Sequence, residues 1–116
     1  MNFNGKVALI TGASAGIGRA AAIKFAMLGA RVVIVDINEE RLNSVKNEIL
    51  QYTDEVLAFV CDVANEEAVN NTVEAVVKQL GGVDILVNNA GIFRDYESLV
   101  ESSSDKWKRY IDVNIK

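Results

Sequence analysis

Apolar residues along this chain fall into two alternating patterns. Unbroken runs rich in β-branched residues occur at Val7–Ile10, Val32–Val35, Val56–Cys61 and Ile85–Val87. Runs that are apolar at every position, rather than at every second one, read as strands buried on both faces. Between them the apolar residues recur every three or four positions. Ile17, Ala21, Phe25 and Leu28 share one helical face, with Gly29 as the stop. Leu42, Val45 and Ile49 form the inner face of a second helix. Its N-cap is Asn38, and Glu39 and Glu40 lie in its first turn, where the helix dipole favours negative charge. A third helix follows Asn65 and carries Val69, Val73, Val76 and Leu80 before Gly81-Gly82. Beyond the fourth strand, Ser103 or Ser104 opens a last predicted helix bearing Trp107, Ile111 and Asn114.

Strand and helix alternating four times predicts an α/β fold, a parallel sheet with helices on both faces. Right-handed crossovers make the simplest spatial order 3-2-1-4, the first half of a doubly wound sheet. With no proline and no linker-like stretch, residues 1–116 read as a single domain. Polar residues gather at the carboxyl ends of all four strands: Thr11–Gly18, Asp36, Asp62 and Asn88–Gly91. Ligands bind along that edge in sheets of this kind.

The stretch LITGASAGIGRA, Leu9–Ala20, gives the edge its chemistry. Gly12 permits a tight turn out of the strand, Gly16 lets backbone approach a diphosphate, and Gly18 allows close packing of the helix that follows. A diphosphate would then meet the free N–H groups at the helix N-terminus. A register of Gly16-x-Gly18-x-x-Ala21 is the alternative, but it would carry the strand through Thr11 to Ala15. Asp36 follows Gly18 by 18 residues, at the end of the second strand, where a carboxylate accepts hydrogen bonds from a ribose 2′-hydroxyl. The bland readings are a ligand-free glycine turn and an Asp that merely ends a strand. Beside Asp36, the residues Ala15, Ile37 and Asn38 offer no cation, so NAD is expected rather than NADP, with Arg19 and Arg41 the nearest positive charges. A unit charge pair at about 4 Å is worth roughly 4 kcal/mol at an effective dielectric of about 20. Even half of that exceeds the ~1.4 kcal/mol that a tenfold preference requires.

Charge and composition remove several other functions. A net charge of −4 with no Lys/Arg cluster argues against nucleic acid. No apolar run approaches the ~20 residues of a membrane span. Residues 1–12 do not form a signal peptide, a cytoplasmic location is the default, and the single Cys61 has no internal disulfide partner. Without histidine, no metal site is expected.

TGASAGIG at Thr11–Gly18, Asp62-Val63, NNAG at Asn88–Gly91 and DVN at Asp112–Asn114 together resemble the short-chain dehydrogenase/reductase family of classical type, across the whole chain from Lys6. The resemblance implies a Rossmann-type, NAD(P)-binding domain of an oxidoreductase acting on a small alcohol or ketone. It implies that Ser14, Gly16, Ile17 and Gly18 line the diphosphate and adenosine ribose, that Asp62 and Val63 bracket the adenine, and that Asn89, Ala90 and Gly91 border the adenosine and nicotinamide riboses. Asn88 would be structural. Asn114 matches the family's catalytic Asn, which holds a water in a proton relay.

The same resemblance implies a catalytic Ser and a Tyr-x-x-x-Lys pair, whose spacing puts both groups on one helix face. Here Tyr52 is followed at that spacing by Val56, Tyr96 by Val100 and Tyr110 by Asn114. The expectation is therefore the dinucleotide-binding half of an enzyme, ending before its catalytic residues and inactive alone. A non-catalytic nucleotide-binding or interaction module, complete as it stands, is the second reading, and a methyltransferase-type domain the third. The outer edge of the fourth strand is expected to be bare in such a half, which predicts a homo-oligomer, an edge-paired dimer, or a longer chain of which this is a part.

Overall fold

The computed structural model describes residues 2–89 and the backbone of 111–114. The elements in chain order are β1 (Val7–Thr11), α1 (Gly16–Met27), β2 (Arg31–Asp36), α2 (Glu39–Ile49), β3 (Val56–Val60), α3 (Glu66–Leu80), β4 (Ile85–Asn88) and β5 (Ile111–Asn114). All four expected strands form, in the order β3-β2-β1-β4, and β5 extends the sheet beyond β4. Every pairing is parallel. Thr11 lies level with Val35 on one side and Asn88 on the other, and Asn88 in turn lies level with Asn114. The polar carboxyl ends of the strands are thus aligned along one edge.

Alternate strand residues feed two cores, as a sheet covered on both faces requires. Ala8, Ile10, Val32, Ile34, Ile85 and Val87 pack against α1 and α2. Val7, Leu9, Val33, Val35 and Leu86 pack on the opposite face against Val69, Val73 and Val76 of α3. Burying each Val, Leu or Ile is worth about 1.5–3 kcal/mol, so these two clusters hold the sheet edge in place. α2 and α3 bury the expected residues, with Thr72 added to the inner face of α3 and Leu80 only half-buried.

Three expectations need correction. The inner face of α1 is Gly18, Ala22 and Ala26, not Ile17, Ala21, Phe25 and Leu28. Ile17 is 58% exposed, while Ala21 and Phe25 only flank the core. The helix lies too close to the sheet for large side chains along its line of contact, so the smallest residues face inward. Ile111–Asn114 is a strand and not the end of a helix; Ser103, Ser104 and Trp107 lie outside the described residues. Ile111 and Val113 are β-branched, and parallel pairing with β4 satisfies the backbone groups of this segment. The outer edge of β4 is therefore not bare, and that ground for edge-paired association falls.

Helix ends follow the predicted chemistry. Gly29, at φ +94°, takes the left-handed position after α1. Its N–H donates to Ala26 O at 3.1 Å and that of Ala30 to Phe25 O at 3.0 Å, the two bonds of a Schellman turn. Among the described residues, no helix is long and apolar enough to cross a membrane, and no group of three or more His, Cys, Asp or Glu side chains could hold a metal ion.

Candidate functional site

The glycine loop leaves β1 at Thr11, as the register beginning at Gly12 requires. Gly12 and Gly16 have φ of +60° and +56°, backbone that L side chains rarely adopt. Between them Ala13 is buried, and its N–H donates to Val35 O at 3.3 Å, which ties the loop to the end of β2. Ala15 is the N-cap of α1. It supplies no side-chain cap, and no acid lies in the first turn. Ala15, Gly16 and Ile17 are exposed. Among the described residues, a Cβ on Gly16 would meet no atom within 4 Å, so none of them covers the backbone at the mouth of the helix.

Gly18 is crowded where Gly16 is open. A Cβ there would lie 2.2 Å from Gly12 O and 2.8 Å from Asn89 Nδ2. Asn89 Nδ2 donates to Gly12 O at 3.2 Å, so the segment after β4 clasps the turn that Gly18 packs against. One strand position earlier, Thr11 Oγ1 lies 3.4 Å from both Val87 O and Asn88 Oδ1. Asn88 is buried at the β1–β4 seam, as a structural residue would be. The sequence places Thr11 at the start of the TGASAGIG stretch but gives it no role of its own.

Asp36 closes the other side of the loop. Ser14 donates twice to Asp36 Oδ2, from its N–H at 2.9 Å and its Oγ–H at 2.6 Å. The N–H of Ile37 donates to Oδ1 at 2.7 Å. Burial alone would raise the pKa of this carboxyl. The hydrogen bonds from the Ser14 hydroxyl and from the backbone N–H groups of Ser14, Ile37 and Asn38 outweigh burial and hold it below the ordinary carboxylate range. Asp36 is thus a fixed negative charge beside the open helix end.

Arg19 does not neutralise that charge. Its guanidinium forms a two-pronged ion pair with Glu48 of α2, whose hydrogen bonding and charge raise the Arg19 pKa further. Ile37 is exposed next to Asp36, and Val60, level with Asp36 on β3, is exposed too. Asp62 follows β3 and accepts from Ala64 N at 2.9 Å in a turn that leads to α3; Val63 is half-buried. Ala90 and Gly91 lie outside the described residues. Asn114 ends β5, next to Asn88 in register. The structure therefore brings the glycine loop, Asp36 and Asn89 together, with Asp62 and Asn114 on neighbouring strand ends of the same edge.

A family model described as short chain dehydrogenase matches residues 6–116. The chain belongs to the short-chain dehydrogenase family. Family membership removes the methyltransferase reading. The chain is 42% identical to the 3-oxoacyl-[acyl-carrier-protein] reductase of Thermotoga maritima over 116 residues, 100% of this chain and 47% of that enzyme. Among solved structures, NAD+-bound xylitol dehydrogenase superposes with a TM-score of 0.72 at 40% identity, covering 75% of this chain and 34% of that one. The L-sorbose reductase of Gluconobacter frateurii, complexed with NADPH and L-sorbose, gives 0.72 at 44% identity, covering 77% and 34%. This short-chain dehydrogenase stretch spans about half the length of the curated relatives it matches.

Proposed function

We propose that this chain is the dinucleotide-binding part of an oxidoreductase that interconverts an alcohol and a ketone, and that it prefers NAD(H) to NADP(H). The observation that carries the reading is the open N-terminus of α1, uncapped and free of acids, beside the ionised Asp36. A diphosphate suits the first and a ribose diol the second. The open space over Gly16 fits such a ligand, since a side chain there would occupy it. The NAD+ and NADPH named in the two structural relatives support a nicotinamide dinucleotide as the class of cofactor.

In this reading Gly12, Ser14, Ala15, Gly16, Ile17 and Gly18 hold the diphosphate end, and Asp36 with Ile37 meets the adenosine ribose. Asp62 and Val63 flank the adenine. Asn89, Ala90 and Gly91 border the riboses, and Asn114 holds a water in a proton relay. When bound, the nicotinamide supplies hydride exchange with the substrate carbon. The chain's own residues bind and orient. No Tyr-x-x-x-Lys pair exists in the 116 residues, so the acid–base contribution, typically worth about 10²–10⁴-fold, is absent and this stretch alone binds without turnover.

Calorimetric titration of the whole protein with NAD+ and with NADP+ tests the reading. Asp36 beside a 2′-phosphate predicts at least about a tenfold preference for NAD+. Equal affinities overturn the preference, and binding of neither overturns the function.

A further inference from the structure

We propose that Ser14 is a specificity-determining positioning residue, which acts through Asp36 to favour a dinucleotide with a free ribose 2′-hydroxyl over one with a 2′-phosphate. The proposal deepens the function above and rests on it.

Ser14 and Asp36 are 22 residues apart in sequence, yet two donors of Ser14 converge on one oxygen of Asp36. The hydroxyl contact, at 2.6 Å, is in the range of a charge-assisted O–H···O⁻ bond, roughly twice as strong as a neutral one. Ile37 N–H holds the other carboxylate oxygen. An Asp at a strand end is otherwise free to rotate about two side-chain torsions. Here it is pinned from both sides before any ligand arrives, by the glycine loop on Oδ2 and by the end of its own strand on Oδ1. Ser14 is only 8% exposed, so water does not readily replace its hydroxyl.

Pinning has two consequences for selection. A carboxylate already ordered loses little freedom when it accepts a ribose hydroxyl, which favours binding. A carboxylate kept ionised in one place repels a phosphate that arrives there, which disfavours the competitor. Without the Ser14 hydroxyl, Oδ2 keeps only the Ser14 backbone N–H while Ile37 N–H still holds Oδ1, and Asp36 is held less firmly against an incoming phosphate. Discrimination then weakens from both directions.

The test is a double-mutant cycle on the whole protein, with NAD+ and NADP+ affinities measured by calorimetry and folding checked by thermal melting. Ser14→Ala is expected to lower the NAD+:NADP+ affinity ratio about tenfold, in line with loss of one hydrogen bond to a charged group. Ser14→Thr, which keeps a hydroxyl on the same carbon, is expected to stay within about threefold of wild type on the same scale. In an Asp36→Ala background, which removes most of the preference, Ser14→Ala is expected to change the ratio no further. A ratio unchanged or increased in Ser14→Ala overturns the role of Ser14. An effect that persists without Asp36 overturns its action through Asp36. Wild-type protein that binds neither dinucleotide overturns the function above, and this proposal with it.

Discussion

The N-terminus of α1 and those of α2 and α3 are built in opposite ways. α2 and α3 each begin with an Asn whose side chain accepts from the backbone N–H three residues on, Arg41 at 2.9 Å and Ala68 at 3.1 Å. Each then places two glutamates in its first turn. α1 begins with Ala15, has no side-chain cap, and carries no acid in its first turn. A capped end has one of its free donors satisfied and its partial positive charge countered from within the chain. An uncapped end leaves both for something else. Among the described residues, the chain thus closes two helix ends and leaves uncapped the one that follows the glycine loop.

The largest expected effect comes from breaking the packing that holds the open end in place. Gly18→Ala sets a methyl group against the Gly12 carbonyl and Asn89, and backbone cannot yield there without moving the loop. A loss of about 3 kcal/mol is expected, the upper end of ordinary overpacking, read as a fall in the urea midpoint together with loss of dinucleotide binding. Gly16→Ala is the contrast. It meets no atom of the described residues, so the penalty expected there is that of the φ of +56°, about 1–2 kcal/mol. Equal stability losses in the two variants would show that crowding at Gly18 is not what fixes the loop.

A second change converts one kind of helix end into the other. Ala15 is extended, at φ −156° and ψ 163°, as an N-cap should be. Ala15→Asp would offer the first-turn N–H groups a charged acceptor from within the chain. Stability is expected to rise by about 1 kcal/mol, from capping and the helix dipole together. Dinucleotide affinity is expected to fall by more than about tenfold, because the diphosphate then meets filled donors and a like charge. A variant that gains stability and binds as before would place the diphosphate elsewhere.

Much of this arrangement was legible in the sequence, for identifiable reasons. The strands are short apolar runs, and their order follows from handedness and alternation. Asn38 declares its cap by position, and Asn65 stands immediately before the helix it caps. The glycines and Asp36 stand at strand ends, where a linear reading finds them. The inner face of α1 is hard to read in the sequence because glycine and alanine carry little hydrophobic signal, while a close approach of helix to sheet selects them over Ile17 and Phe25. Ile111–Asn114 alternates apolar and polar over four residues, too short to separate strand from helix without knowing that β4 offers a partner. The two hydrogen bonds from Ser14 to Asp36 and the clasp of Asn89 on Gly12 join residues 22 and 77 positions apart. Side-chain contacts at such range leave no trace in spacing.

The smallest expected effect tests the closed half of the comparison. Asn38→Ala and Asn65→Ala each remove one acceptor from the first turn of a helix, and each is expected to cost about 1 kcal/mol in urea unfolding. The two losses should agree to within about 0.5 kcal/mol, because the bonds are nearly equal in length and each first turn retains two glutamates. Their effects on binding should differ. Asn65 caps a helix on the opposite face of the sheet from α1, and its loss should leave the NAD+ affinity unchanged. Asn38 stands two residues past Asp36, and its backbone N–H helps keep that carboxyl ionised. Loosening the first turn of α2 would weaken this support, so Asn38→Ala should lower NAD+ affinity by a few-fold, about what a fraction of one hydrogen bond is worth. Stability lost equally with binding lost only at Asn38 is the pattern expected if α2 starts where it does to support Asp36. Binding lost equally in both variants would mean that general loosening, not the Asp36 end of β2, governs the site.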